Sequence, residues 1–76
     1  MSDEKAINKD DPLVTVRHMR EARFCARGGR VVAARYNLDF LHFATHGYPA
    51  SVLEATGDAM LIKLATMARE EAEDEA

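Results

Sequence analysis

Beyond a polar opening, the apolar positions of this chain fall into short runs at helical spacing. Val16, Met19, Ala22 and Cys25 or Ala26 lie three or four residues apart, with Arg17, Arg20 and Glu21 on the other side. That period predicts a helix over about 15–25 with Thr15 as its N-cap. Arg27-Gly28-Gly29 comes next. Two adjacent glycines cost a helix roughly 1 kcal/mol each relative to alanine, so they predict a turn, or the close approach of a second helix. That second helix is expected over about 28–36, with Asn37 as a left-handed stop. Val31-Val32 alone is too short for a strand and lacks a partner.

Leu38 is expected to turn inward, and Asp39 suits the N-cap of a third helix over about 39–46. Phe40, Leu41 and Phe43 or Ala44 supply its apolar side and Gly47 ends it. Pro49 fits a first helical position, opening one turn through Val52, Leu53 and Ala55. Thr56 or Asp58 can cap the last helix, over about 57–72, where Ala59, Met60, Leu61, Leu64, Ala65, Met67 and Ala68 keep a clear helical period. Its terminal glutamates oppose the helix dipole and are expected to fray that end.

The sum is an all-α fold, a small bundle of four or five short helices whose first pair resembles a helix-turn-helix. Phe24, Tyr36, Leu38, Phe40, Leu41, Phe43, Leu53, Met60, Leu61 and Leu64 are the core candidates. Residues 1–13 read as a flexible arm, 14–69 as a single helical domain and 70–76 as an acidic tail.

Size limits what such a core can do. A chain of 76 residues buries only about 60% of the surface it exposes when unfolded. Association with a partner would add stability, and Met60 and Met67 with Ala59, Ala65 and Ala68 could form a self-association seam, although ordinary core packing accounts for them better. The single cysteine allows no internal disulfide. No apolar run approaches the roughly 18–20 residues that span a bilayer, so no membrane partner is expected, and MSDEKAINKDD does not read as a signal peptide.

Charge changes the picture more than composition does. The net charge of −3 conceals a segregation. Residues 17–35 carry six arginines (Arg17, Arg20, Arg23, Arg27, Arg30, Arg35) against Glu21, while the last seven residues carry five acids and no base. On an ideal helix those six arginines fall within about 140°. Guanidinium groups make planar, forked hydrogen bonds to phosphate or carboxylate. In a helix-turn-helix-like pair, Arg27 and Arg30 would open the helix that meets base edges. The acidic balance of the whole chain, pI about 5.5, weighs against nucleic acid as the partner. The arginines could also pair internally with Asp39, Glu54 and Asp58.

Other candidate chemistry is thin. Cys25 with His18, His42 and His46 invites a zinc or thiol-nucleophile reading, yet a structural zinc site needs four ligands at recognisable spacing. His42 and His46 could hold an adventitious ion. The expectation is instead a buried Cys25, histidines at the edge of the core, no metal, no cofactor and no catalysis. Arg27-Gly28-Gly29-Arg30 lacks the glycine spacing, the Lys-Ser/Thr pair and the preceding strand of a phosphate loop.

Several stretches together carry a family resemblance: Val14-Thr15-Val16-Arg17-His18-Met19-Arg20, Arg23-Phe24-Cys25-Ala26-Arg27-Gly28, Ala34-Arg35-Tyr36-Asn37-Leu38-Asp39-Phe40, Gly47-Tyr48-Pro49-Ala50 and, sharpest, Leu53-Glu54-Ala55-Thr56-Gly57-Asp58-Ala59-Met60. Over Val14 to Arg69 the chain resembles small proteins of tailed bacteriophages and prophages that have no assigned activity. It departs from them at Gly29 and Val31-Val32, where relatives are bulkier. The resemblance implies a phage context, in the bacterial host cytoplasm or on the virion, and transfers no catalytic residue. The expected function is therefore non-enzymatic protein–protein binding, as a virion or assembly component or an inhibitor of a host factor. Arg17, Arg20, Arg27 and Arg30 would contact an acidic partner surface; a homo-oligomer would rest instead on the small core and the Met60 and Met67 seam. The alternative is a helix-turn-helix-like DNA-binding regulator.

Overall fold

A computed structural model describes residues 11–75. The elements run β1 (Leu13–Val14), α1 (Val16–Glu21), α2 (Ala26–Arg35), α3 (Phe40–His46), β2 (Tyr48–Pro49), α4 (Ala50–Ala55) and α5 (Ala59–Glu75). The fold is a small all-α bundle, as the periodicity predicts, with one addition. β1 pairs antiparallel with β2, Leu13 opposite Pro49 and Val14 opposite Tyr48. The expected arm at 1–13 falls mostly on residues 1–10, outside the described part. Residues 11–13 belong to a strap: Pro12 C=O accepts the Ala50 N–H at 2.9 Å, and the Asp11 carboxylate accepts both the amide and the hydroxyl of Ser51.

α5 is the spine. Leu61, Leu64, Ala65 and Ala68 are buried at the i, i+3, i+4, i+7 spacing of a single stripe, and half-buried Glu71 and Ala72 prolong it. At about 1.5 Å per residue its 17 residues span about 25 Å of a molecule 35 Å long. α4 packs along it over the largest interface, and α1 and β1 cross it further on. Leu53, Leu64 and Val14 are the largest fully buried side chains, each worth about 1.5–3 kcal/mol of apolar burial. Met19 and Phe43 complete the centre, with Phe24, Tyr36, Leu38 and Phe40 against its rim.

Helix ends follow backbone chemistry more than apolar period. α1 stops at Glu21, short of the expected 25, because Arg23 takes a left-handed conformation (φ 65°). The Arg23 N–H bonds to Arg20 C=O and the Phe24 N–H to Met19 C=O, the paired closure of a Schellman motif. α2 ends in the same way, with Asn37 (φ 60°) as the expected left-handed stop and the Leu38 N–H bonded to Ala33 C=O at 2.7 Å. Asp39 caps α3 through Leu41 and His42 N–H. Asp58 caps α5 through Met60 and Leu61 N–H, and its other oxygen accepts the Tyr36 hydroxyl.

Five further expectations need correction. The Gly28-Gly29 pair is not a turn but lies inside α2; close approach is what it serves, since a Cβ on Gly29 would stand 2.9 Å from both Met19 Cε and Phe40 Cε1. Leu41 is not core: it is 73% exposed, because α3 turns Phe40 and Phe43 inward and Leu41 points about 100° away. Cys25 is exposed and not buried, held outside as the N-cap of α2. Pro49 precedes α4 as its N-cap, one residue earlier than expected, because it is engaged with β1. α5 also runs on as helix to Glu75 past the glutamates expected to fray it.

Candidate functional site

The basic block folds into α1, a four-residue connection and α2. α1 opens with a reciprocal cap. His18 Nδ1 accepts the Thr15 backbone N–H at 2.9 Å and also meets the Thr15 hydroxyl at 3.3 Å. An Nδ1 that accepts this bond is bare, so the ring proton sits on Nε2, which reaches Glu71 Oε1 at 3.1 Å. His18 is buried and both its nitrogens are occupied. With His18 and Met19 fixed inward, Arg17 and Arg20 are carried outward.

The arginines then divide. Arg17 donates to Glu21 at 2.8 Å and to Glu71 at 2.7 Å. These bonds raise the affinity of its guanidinium for its proton, and the same Arg17 bond holds the Glu71 carboxyl below the usual range. Arg17 is therefore an internal tie between α1 and α5, a departure from its expected place among free contact residues. Arg30 lies over the Phe40 ring, 5.4 Å from the centroid, a cation–π arrangement that leaves it exposed. Arg20, Arg23, Arg27 and Arg35 are exposed, and among the described residues no acid lies within ion-pair distance of them.

The acids that could pair with the block internally are committed elsewhere. Glu54 is gripped by Arg69 through two bonds of 2.7 and 2.8 Å, which depress its pKa; Asp39 and Asp58 cap helices. α2 thus presents Arg27, Arg30, Val31, Ala34 and Arg35 to solvent while Gly29, Val32 and Ala33 face inward. Arg23 and Arg35 were visible in the sequence as members of the block but not singled out. Opposite charge allows the acidic tail to fold back on the block, although a solvated tail is the stronger expectation; that Glu71, 54 residues from Arg17, is the acid that does so has no signal of its own.

Among the described residues no imidazole bonds to the thiol of Cys25. Its Sγ accepts the Gly28 N–H at 3.3 Å, and His18 has no free nitrogen to activate it. His42 packs against His46 and Tyr48 with ring centroids 5.0 and 4.9 Å apart. Among the described residues no group of three or more His, Cys, Asp or Glu could hold a metal ion. A cavity of about 30 Å³ among the described residues, lined by apolar side chains such as Met19, Phe40 and Met60, has room for little more than a methyl group or a water. No described helix is long and apolar enough to cross a membrane. Comparison of the chain with protein-family models, curated proteins and solved structures found no match.

Proposed function

We propose that this protein is a non-enzymatic binding module of phage or prophage type that docks an acidic protein surface through its arginine face. The observation that carries the reading is the set Arg20, Arg23, Arg27 and Arg35: four exposed guanidinium groups on one connected helix pair, without an acid beside them among the described residues. Charge of one sign gathered on a rigid element accelerates and orients docking on an opposite surface. The contact set proposed from the sequence is revised accordingly: Arg20, Arg27 and Arg30 stay, Arg23 and Arg35 join, and Arg17 is reassigned to positioning.

A second reading is favoured by the four-residue connection Ala22 to Cys25 between α1 and α2. It gives the pair the outline of a helix-turn-helix, with α2 as the exposed second helix, and would make the partner duplex DNA. One titration decides between them. The purified chain is presented with a fluorescent glutamate-rich peptide and, separately, a short duplex. Peptide binding that falls at least tenfold in Arg20→Glu/Arg27→Glu, with helicity unchanged, supports the first reading. Duplex binding with a steep salt dependence and no peptide binding supports the second. Binding of neither overturns both.

A further inference from the structure

We infer that the acidic surface fitting the arginine face is the end of α5 on a second copy of this chain, joined about a two-fold axis. This deepens the reading above and rests on it. The basic and acidic regions adjoin at one seam, the Arg17–Glu71 pair at 2.7 Å. Arg20 lies one turn from Arg17 on α1, and Asp74 one turn from Glu71 on α5. Glu70, Glu73 and Asp74 are exposed, and within one copy none of them pairs with an arginine of the block. α1 lies against α5, and its Arg17 takes up Glu71 of α5 besides Glu21 of its own helix.

The spacing on the two faces matches. Arg27 and Arg30 stand three residues apart on α2, as Glu70 and Glu73 do on α5, a rise of about 4.5 Å on either helix. Val31, 54% exposed, supplies an apolar point between Arg27 and Arg35. Patches on opposite sides of a molecule would pair head to tail without closing. Patches that adjoin let a two-fold axis at their seam lay each arginine face on the partner's acids, so two equivalent contacts form together and assembly stops at two. Exposed ion pairs are individually weak and screened, so the dimer is weak and salt-sensitive.

Sedimentation equilibrium tests this. With the full chain between about 10 μM and 1 mM at low salt, the average mass is expected to rise from 8.5 kDa towards twice that value and go no further. At about 1 M salt, where the Debye length is about 3 Å, it returns to the monomer. Arg20→Glu/Arg27→Glu and Glu70→Lys/Glu73→Lys are each expected to weaken self-association at least tenfold, and an equimolar mixture of the two to restore a dimer. A monomer throughout, or a dimer indifferent to salt and to both variants, overturns the inference. In either case an acidic peptide that still binds in an Arg20- and Arg27-dependent way leaves the reading above standing; loss of peptide binding as well removes both.

Discussion

His18 Nε2 reaches Glu71 Oε1 at 3.1 Å across 53 residues of chain, and the opposite nitrogen of the same ring closes the start of α1 on Thr15. One imidazole therefore performs a local and a long-range task. His18→Ala removes a helix cap, a buried ring and the link to α5. Its expected cost is about 2–3 kcal/mol, read as a lower urea midpoint. A loss below about 0.5 kcal/mol would show that the ring only fills space.

Acid should loosen the molecule at its long-range ties. Arg17 holds Glu71, Arg69 holds Glu54 and Ser51 holds Asp11, and each carboxyl titrates below its ordinary value, 4.5 for the glutamates and 3.8 for the aspartate. A carboxyl whose pKa is lower when folded stabilises above the unfolded value, and that contribution vanishes as pH falls through the folded one. These three groups give no slope between pH 7 and pH 5 and a falling midpoint below about 4.5. Glu71→Gln should flatten the fall, and half-molar salt should shrink it because the ties are partly exposed. An acid limb identical in Glu71→Gln and wild type would show that this pair contributes nothing to it.

Gly47 resists substitution on two counts. It is buried, its φ is 79°, and a Cβ there would stand 2.7 Å from the Val14 carbonyl oxygen. Gly47→Ala combines left-handed strain with a clash against β1, at an expected cost of about 2–3 kcal/mol. Gly57 has a similar φ of 77° with nothing within 4 Å. Gly57→Ala is thus the control for strain without the clash, and thermal unfolding of the two variants separates the terms.

Arg23 pays the opposite penalty already. A side chain at φ 65° costs about 1–2 kcal/mol that glycine avoids, offset in part by the greater freedom of glycine when unfolded. Arg23→Gly should gain about 0.5–1 kcal/mol and raise the midpoint by a few degrees. The same change deletes a cation from the proposed docking face and should weaken peptide capture. A variant that is more stable yet binds less well would separate the two roles of this position.

The fold class, α3 and α5 were legible because their caps and apolar stripes coincide: Asp39 before Phe40, and Asp58 before the Leu61–Leu64–Ala68 stripe. What was not legible depended on residues far apart. The Gly28-Gly29 pair looked like a break because helix propensity counts only local cost, whereas Met19 and Phe40 need the space that Gly29 leaves. The two-residue strands could not be seen, since a bridge between Val14 and Tyr48 has no periodic signature. At the candidate site, the arginine block itself could be read directly. That Arg17 is spent on Glu71 while Arg20, Arg23, Arg27 and Arg35 are not became clear only once α5 lay beside α1.

The strap has a further bearing on how the chain acquires its shape. Asp11, Val14 and Arg17 find their places against α4, β2 and α5, and the Arg17–Glu71 and Asp11–Arg69 approaches close loops of nearly the whole described length. No N-terminal fragment holds a finished core, so a nascent polypeptide cannot settle while its last helix is still inside the ribosome. Folding is expected to wait until α5 has emerged, and a message truncated just ahead of the Arg69 codon should yield a product that proteases clear.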